Sequence, residues 1–169
     1  MSMDIQKILV PIDYSGDAYQ ALQWGASLAG KYGAKLLLLH VIPKAVEEMY
    51  PEGTGFVSPT SSYYEGMAPG IWTKHPIIID LVDNAHTELR DFAYKNLEDA
   101  VPVQANVAVG KPAEEILRVA RDEKVDLIVM GTHGRTGLRH LLLGSVAEEV
   151  TRHAPCPVFT VRIGAAAAF

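Results

Sequence analysis

The sequence predicts an α/β fold: one doubly wound, five-stranded parallel sheet with helices on both faces. Three observations carry this reading. Short β-rich apolar runs alternate with segments of helical period through five strands, a pattern that calls for right-handed crossovers between parallel strands. Two of those runs, 34–42 and 125–130, are apolar at successive positions rather than alternate ones, as strands covered on both faces are. At 169 residues, 49% hydrophobic and 21% charged, the chain suits a single domain with a proper core, residues 1–169.

The first run, Ile5 to Ile12, ends at Pro11 and Asp13, and Ser15 then stands as an N-cap whose hydroxyl accepts an N–H of the first helical turn. Ala18, Ala21, Leu22, Gly25, Leu28, Ala29 and Tyr32 repeat at helical spacing up to Gly33, a left-handed stop. Residues 34–42, with four leucines in a row, make a central strand. After an irregular stretch, Ile78, Leu81, Val82, Ala85, Leu89, Phe92, Ala93 and Leu97 mark the longest helix. Val101, Val103, Ala105, Val107 and Val109 then alternate, and Pro102 lacks a ladder N–H, which places this strand at a sheet edge with one face wet. Pro112 suits a first helical position, and Ala113, Ile116, Leu117 and Ala120 form the buried stripe behind it. Residues 125–130 are a second central strand, 145–153 the last helix and 157–162 the last strand.

Strands 1, 2 and 4 look central and strands 3 and 5 look like edges, so the predicted order is 3-2-1-4-5. The winding reverses between strands 1 and 4, and ligands of such sheets bind beyond the carboxyl ends of the strands at that reversal. Here Pro11-Ile12-Asp13 faces Met130-Gly131.

The same place is reached from residue chemistry. Gly131-Thr132-His133-Gly134-Arg135-Thr136-Gly137 follows strand 4, and Gly144-Ser145 opens the last helix. Glycines leave backbone N–H groups uncovered, and a helix starting at Ser145 adds its own unpaired N–H groups and positive dipole end. His133, Arg135, Arg139 and His140 gather positive or protonatable groups in a chain of net charge −5. The site is an anion cradle, of a size for a polyphosphate.

Residues 43–76 break any period with prolines and glycines, a long connection for a compact domain. It leaves the carboxyl edge of the sheet. Its aromatic residues Phe56, Tyr63, Tyr64 and Trp72 suit a lid over the ligand, while its Ser, Thr, Gly and Pro content suits a mobile surface loop; both readings stand. The tail 164–169 is of low complexity.

Composition narrows the function classes. An acidic chain without a basic stripe is not expected to bind nucleic acid, and its longest clean apolar run, Leu36 to Leu39, is far short of the ~20 residues that span a bilayer. A single cysteine, Cys156, makes no intrachain disulfide and points to a reducing cytoplasm. The chain has no Gly-x-x-x-x-Gly-Lys-Ser/Thr run, no Gly-x-Gly-x-x-Gly after strand 1 and no Gly-x-Ser-x-Gly elbow. His133 and His140 lack the paired spacing of a zinc site.

The chain resembles the universal stress proteins of the nucleotide-binding kind. The resemblance rests on Gly131, two residues, Gly134, nine residues, Gly144 and Ser145, with Lys7-Ile-Leu-Val-Pro-Ile-Asp13, Leu39-His-Val41 and His153-Ala-Pro-Cys-Pro-Val158 in the expected order. It covers about Ile5 to Arg162, apart from a connection at 43–76 that is longer than usual. It implies ATP, with Mg2+, held by Asp13 and Val41 at the adenine end, Met130 and Gly131 near the ribose, and Gly134, Gly144, Ser145 and Val146 around the phosphates. It also implies homodimers paired through the last strand. From the residues alone, Asp13 equally serves the start of the first helix, Ser145 with Glu148 makes a capping box, and adenine is not separated from guanine. Efficient phosphoryl transfer needs metal-holding carboxylates, a group to place the nucleophile and a charge stabiliser, and Asp13 and the loop arginines are the only candidates for these parts. The expectation is therefore a nucleotide-dependent stress-response or signalling module, with hydrolysis slow or absent. The alternatives are a slow ATPase, or an ATP-using transferase whose acceptor site lies under 43–76.

Overall fold

A computed structural model describes residues 4–43, 76–97, 101–133 and 143–162. The elements run β1 (Lys7–Pro11), α1 (Gly16–Tyr32), β2 (Lys35–Pro43), α2 (Pro76–Asn96), β3 (Val103–Gly110), α3 (Pro112–Asp122), β4 (Leu127–Gly131), α4 (Ser145–His153) and β5 (Val158–Val161). All five strands are parallel, in the order β3-β2-β1-β4-β5. The Phe56, Tyr63, Tyr64 and Trp72 lid and the tail 164–169 lie outside the described residues.

The four leucines of β2 show why the central strands read as unbroken apolar runs. Leu36 and Leu38 join Ile8, Val10 and Val129 on one face, under Ala21, Leu22 and Ala29 of α1 and Val82, Ala85 and Leu89 of α2. Leu37 and Leu39 join Leu9, Ile128 and Met130 on the other face, under Ile116 and Leu117 of α3 and Ala147 and Val150 of α4. The period of two is intact, but both phases are apolar because both faces are covered. Each fully buried leucine contributes about 1.5–3 kcal/mol.

The ends of α1 follow the local signals. Ser15 is the N-cap and accepts the N–H of Ala18 at 3.2 Å, and Gly33 closes the helix in the left-handed region at φ 67°. Tyr32 differs from expectation: it lies on the exposed side of the last turn, beneath the Lys31 ammonium.

β3 is an edge strand, yet it is not wet along one whole face. Val107 and Ala108 are both buried, Val107 in the layer under α1 and α2 and Ala108 in the layer under α3 and α4. Helices cover both sides of its carboxyl half, whereas in the amino half Val103 is exposed and residues 104–106 are all half-buried.

The two strands at the winding reversal are closed at one end and open at the other. At the amino ends Asp126 accepts the N–H groups of Gln6 and Lys7 on Oδ2, both at 2.9 Å, and returns its own N–H to the Lys7 carbonyl. The register then pairs Ile8 with Leu127 and Leu9 with Ile128. Beyond that point each strand bonds outward: the Ile12 N–H donates to Leu39 and the Thr132 N–H to Val161. The sheet parts between Pro11 and Gly131.

Candidate functional site

A cavity of ≈ 190 Å³ occupies that parting. Pro11, Asp13, Val41, Met130, Gly131, His133, Gly144, Ser145 and Val146 all line it. Gly134 and Arg135, also expected in the site, lie outside the described residues, as do Gly137, Arg139 and His140. With Pro112 and Ile116, five chain segments meet at one concavity.

Its base is apolar. Ile12, Leu39 and Met130 come from the sheet, and Pro112 and Ile116 from the first turns of α3. Such a surface accepts the face of a flat ring, while a few polar groups set its orientation. Asp13 is the carboxylate among the lining residues. Its Oδ1 accepts the backbone N–H of Ser15 at 3.0 Å and the Ser15 hydroxyl at 2.6 Å, and that same hydroxyl oxygen caps α1. Asp13 thus serves the turn and lines the cavity with one side chain.

The turn itself is tightly constrained. Tyr14 stands in the left-handed region at φ 62°, and its ring packs on His40 at 5.0 Å and edge-on to Phe92 at 5.3 Å. His40 in turn holds the exit of β1: Nδ1 lies 2.7 Å from the Ile12 carbonyl. A carbonyl only accepts, so Nδ1 carries the proton. His40 is thus a structural histidine within β2.

The opposite wall is the start of α4. Gly144 is its N-cap, donating its N–H to the Thr132 carbonyl at 2.7 Å and accepting that of Glu148 at 2.9 Å. Ser145 is the first helical residue, so the Ser145–Glu148 capping box does not form. The first N–H groups of a helix have no intrahelical partner, and those at Ser145, Val146 and Ala147 belong to residues that line the cavity. A Cβ at Gly144 would stand 3.0 Å from the Thr132 carbonyl oxygen. A side chain there would crowd that carbonyl.

Sequence reasoning missed Ser15, Ala18, Thr132, Pro112 and Ile116, which share the lining. For Pro112 and Ile116 the signal was present, since the first turn of the helix after β3 starts at the carboxyl edge of the same sheet. Among the described residues no group of three or more His, Cys, Asp or Glu is placed to hold a metal. Cys156 is half-buried, and burial, followed by the charge of Asp126, raises its thiol above the ordinary value. It suits a small turn residue and not a nucleophile.

The Usp family model, described as the universal stress protein family, matches residues 4–162. The chain belongs to this family. Universal stress protein MJ0577 of Methanocaldococcus jannaschii is 32% identical over 167 residues, spanning 96% of this chain and 98% of the relative. The solved structure of MJ0577 superposes with a TM-score of 0.71 at 30% identity, covering 96% of this chain and 99% of that one. Two more distant universal stress proteins share the fold and were solved with nucleotides. One is in complex with cAMP (TM-score 0.58, 21% identity, 95% and 98% coverage), and one, from Arabidopsis thaliana, has AMP bound (0.55, 19%, 95% and 93%).

Proposed function

We propose that this universal stress protein binds ATP in the cavity between β1 and β4 and acts as a nucleotide-dependent stress-response or signalling module in the cytoplasm. The observation that carries the reading is the meeting of Asp13 and Val41 with the Gly144-Ser145-Val146 helix start across one apolar concavity. The cavity is smaller than the roughly 300–1,000 Å³ of whole small-molecule sites. It encloses the base and ribose, and the phosphates extend along the start of α4. Asp13 faces the adenine end, Met130 and Gly131 the ribose, and Gly134, Arg135, Gly144, Ser145 and Val146 the phosphates, with His133 between them. The nucleotide-bound relatives support the ligand class, and the choice of ATP rests on the anion-suited helix start.

Mg2+ would arrive on the phosphates and keep most of its waters, as this ion commonly does. A bound triphosphate would shift the balance of conformations or partners, and the sparse carboxylates favour slow or absent hydrolysis. The assembly is a homodimer in which β5 pairs antiparallel with its twofold mate. β5 is a four-residue edge strand, and Phe159 on it is 40% exposed against a Trp24 that is 50% exposed, ring centroids 5.6 Å apart. A twofold partner covers both the open ladder and this aromatic pair.

Mass spectrometry of nucleotide released from freshly denatured protein, with titration of MgATP into stripped protein, tests the reading. Retained or tightly bound adenine nucleotide is expected. Gly144→Val should weaken ATP by at least tenfold, about 1.4 kcal/mol; a folded variant with unchanged affinity would remove the cradle from the mechanism.

A further inference from the structure

Asp17, in the first turn of α1, makes the contact that anchors the start of the glycine loop. Its Oδ2 accepts the Thr132 hydroxyl at 3.1 Å and the backbone N–H of His133 at 3.1 Å. The Thr132 hydroxyl oxygen also lies 2.9 Å from Nδ1 of His133. The direct distance from Asp17 Oδ2 to that Nδ1 is 3.6 Å, beyond a hydrogen bond. The carboxylate therefore reaches the imidazole through Thr132.

The proton order along this chain is set by the groups themselves. An ionised carboxylate only accepts, and a threonine hydroxyl has one proton to give. With that proton directed to Asp17, the Thr132 oxygen is left as the acceptor for His133, so Nδ1 carries the ring proton and Nε2 is the basic nitrogen of the neutral ring. The network is enclosed: the His133 and Asp17 side chains are 13% and 12% exposed and Thr132 is buried. Its geometry depends on Gly131, where a Cβ would fall 2.7 Å from the Asp17 Cβ. Only a residue without a side chain lets α1 come close enough for Asp17 to reach under residues 132 and 133.

We propose that Asp17 is a positioning residue of the nucleotide site, holding the entrance of the glycine loop and, through Thr132, fixing the His133 ring with its proton on Nδ1. Thr132 and His133 both line the cavity, so the relay sets which ring nitrogen is basic beside the ligand. It also keeps the His133 N–H out of the anion cradle, since that N–H already donates to Asp17. The effect on affinity rests on the nucleotide reading above; the effect on the ring does not.

The test uses the full-length, nucleotide-free protein labelled with 15N, at a pH above the imidazole titration, with His133 assigned by the loss of its signals in His133→Gln. The expected ring 15N shifts are those of the Nδ1–H tautomer. Thr132→Val, which keeps the volume and removes the hydroxyl, should move the ring to a mixture or to the Nε2–H form, and Asp17→Asn, which retains an acceptor, should leave it unchanged. ATP affinity should fall at least fivefold in Asp17→Ala and stay within twofold in Asp17→Asn. A wild-type ring already in the Nε2–H form, or no change in Thr132→Val, overturns the relay whether or not ATP binds. If Asp17→Ala does not fold, Thr132→Val still decides the ring. Folded Asp17→Ala that binds ATP like the wild type overturns the positioning role, whereas a wild-type protein that binds no nucleotide overturns the ligand reading and leaves the ring measurement in force.

Discussion

Gly131→Ala is the most informative small change to this protein. The added Cβ would stand 2.7 Å from the Asp17 Cβ, 2.9 Å from the Asp17 carbonyl carbon and 3.2 Å from the Ala18 nitrogen. Carbon atoms rest at about 3.5–4.0 Å, so the first turn of α1 and the end of β4 must part by roughly an ångström. No flexible side-chain tip can move aside. The obstacles are the Cβ and backbone of a helix pinned by the buried Ala18, Ala21 and Leu22. Overpacking of this kind costs about 1–3 kcal/mol. At about 2–4 °C per kcal/mol for a chain of this size, the midpoint of thermal unfolding should fall by roughly 2–12 °C. Gly144→Ala is the control: its nearest neighbour is one carbonyl oxygen at 3.0 Å, and φ −71°, ψ 158° is an ordinary extended conformation for alanine. It should lose no more than about 1 kcal/mol, the scale of a lost helix cap. Denaturant unfolding followed by circular dichroism measures both. A Gly131→Ala protein within 0.5 kcal/mol of wild type, or one more stable than Gly144→Ala, would show that α1 does not seat rigidly on β4.

Three further outcomes are expected. Asp13→Asn keeps an acceptor for Ser15 and removes the charge; it should weaken ATP about tenfold, ~1.4 kcal/mol, while inorganic triphosphate competes as before, and equal losses for both ligands would move Asp13 to the metal or to a purely structural role. Phe159→Lys should give a monomer in sedimentation with its helical signal intact; a persistent dimer would place the interface elsewhere. Val161 is unsuited to that test because it is buried in the layer under α1 and its carbonyl accepts the Thr132 N–H. Cys156, with its thiol raised by burial, carries less thiolate at neutral pH than a free cysteine, so iodoacetamide should modify it more slowly in the native protein than in urea; equal rates would contradict its burial.

The strand order and the place of the cavity proposed as the site were both legible before any coordinate. The consecutive apolar runs of β2 and β4 mark strands covered twice, and with the Pro102 edge signal they point to the order 3-2-1-4-5, whose winding reversal coincides with the glycine spacing. These are local signals, written in residues that neighbour one another along the chain. Which helices cover which face was not local: Leu36 and Leu37 are identical in sequence terms and lie under different helix pairs. The half-buried edge of β3 followed from the same cause, since only packing decides whether an alternating strand is covered.

The candidate site divides along the same line. Asp13, Gly131, Gly144 and Ser145 announce themselves by residue type and spacing, because the need for bare backbone near an anion restricts what can stand there. Asp17 does not: it is one acidic residue in a helical first turn, where a dipole alone accounts for a carboxylate. Its partners Thr132 and His133 are 115 and 116 residues away, and no periodicity links them. Likewise Gly131 reads as a loop glycine, whereas its bare Cα is what α1 packs upon. Composition and pattern settled which strands assemble and marked the cavity between β1 and β4 as the candidate site. Only the assembled sheet settled which distant side chains meet there, because such contacts are made by the crossovers and leave no period in the chain.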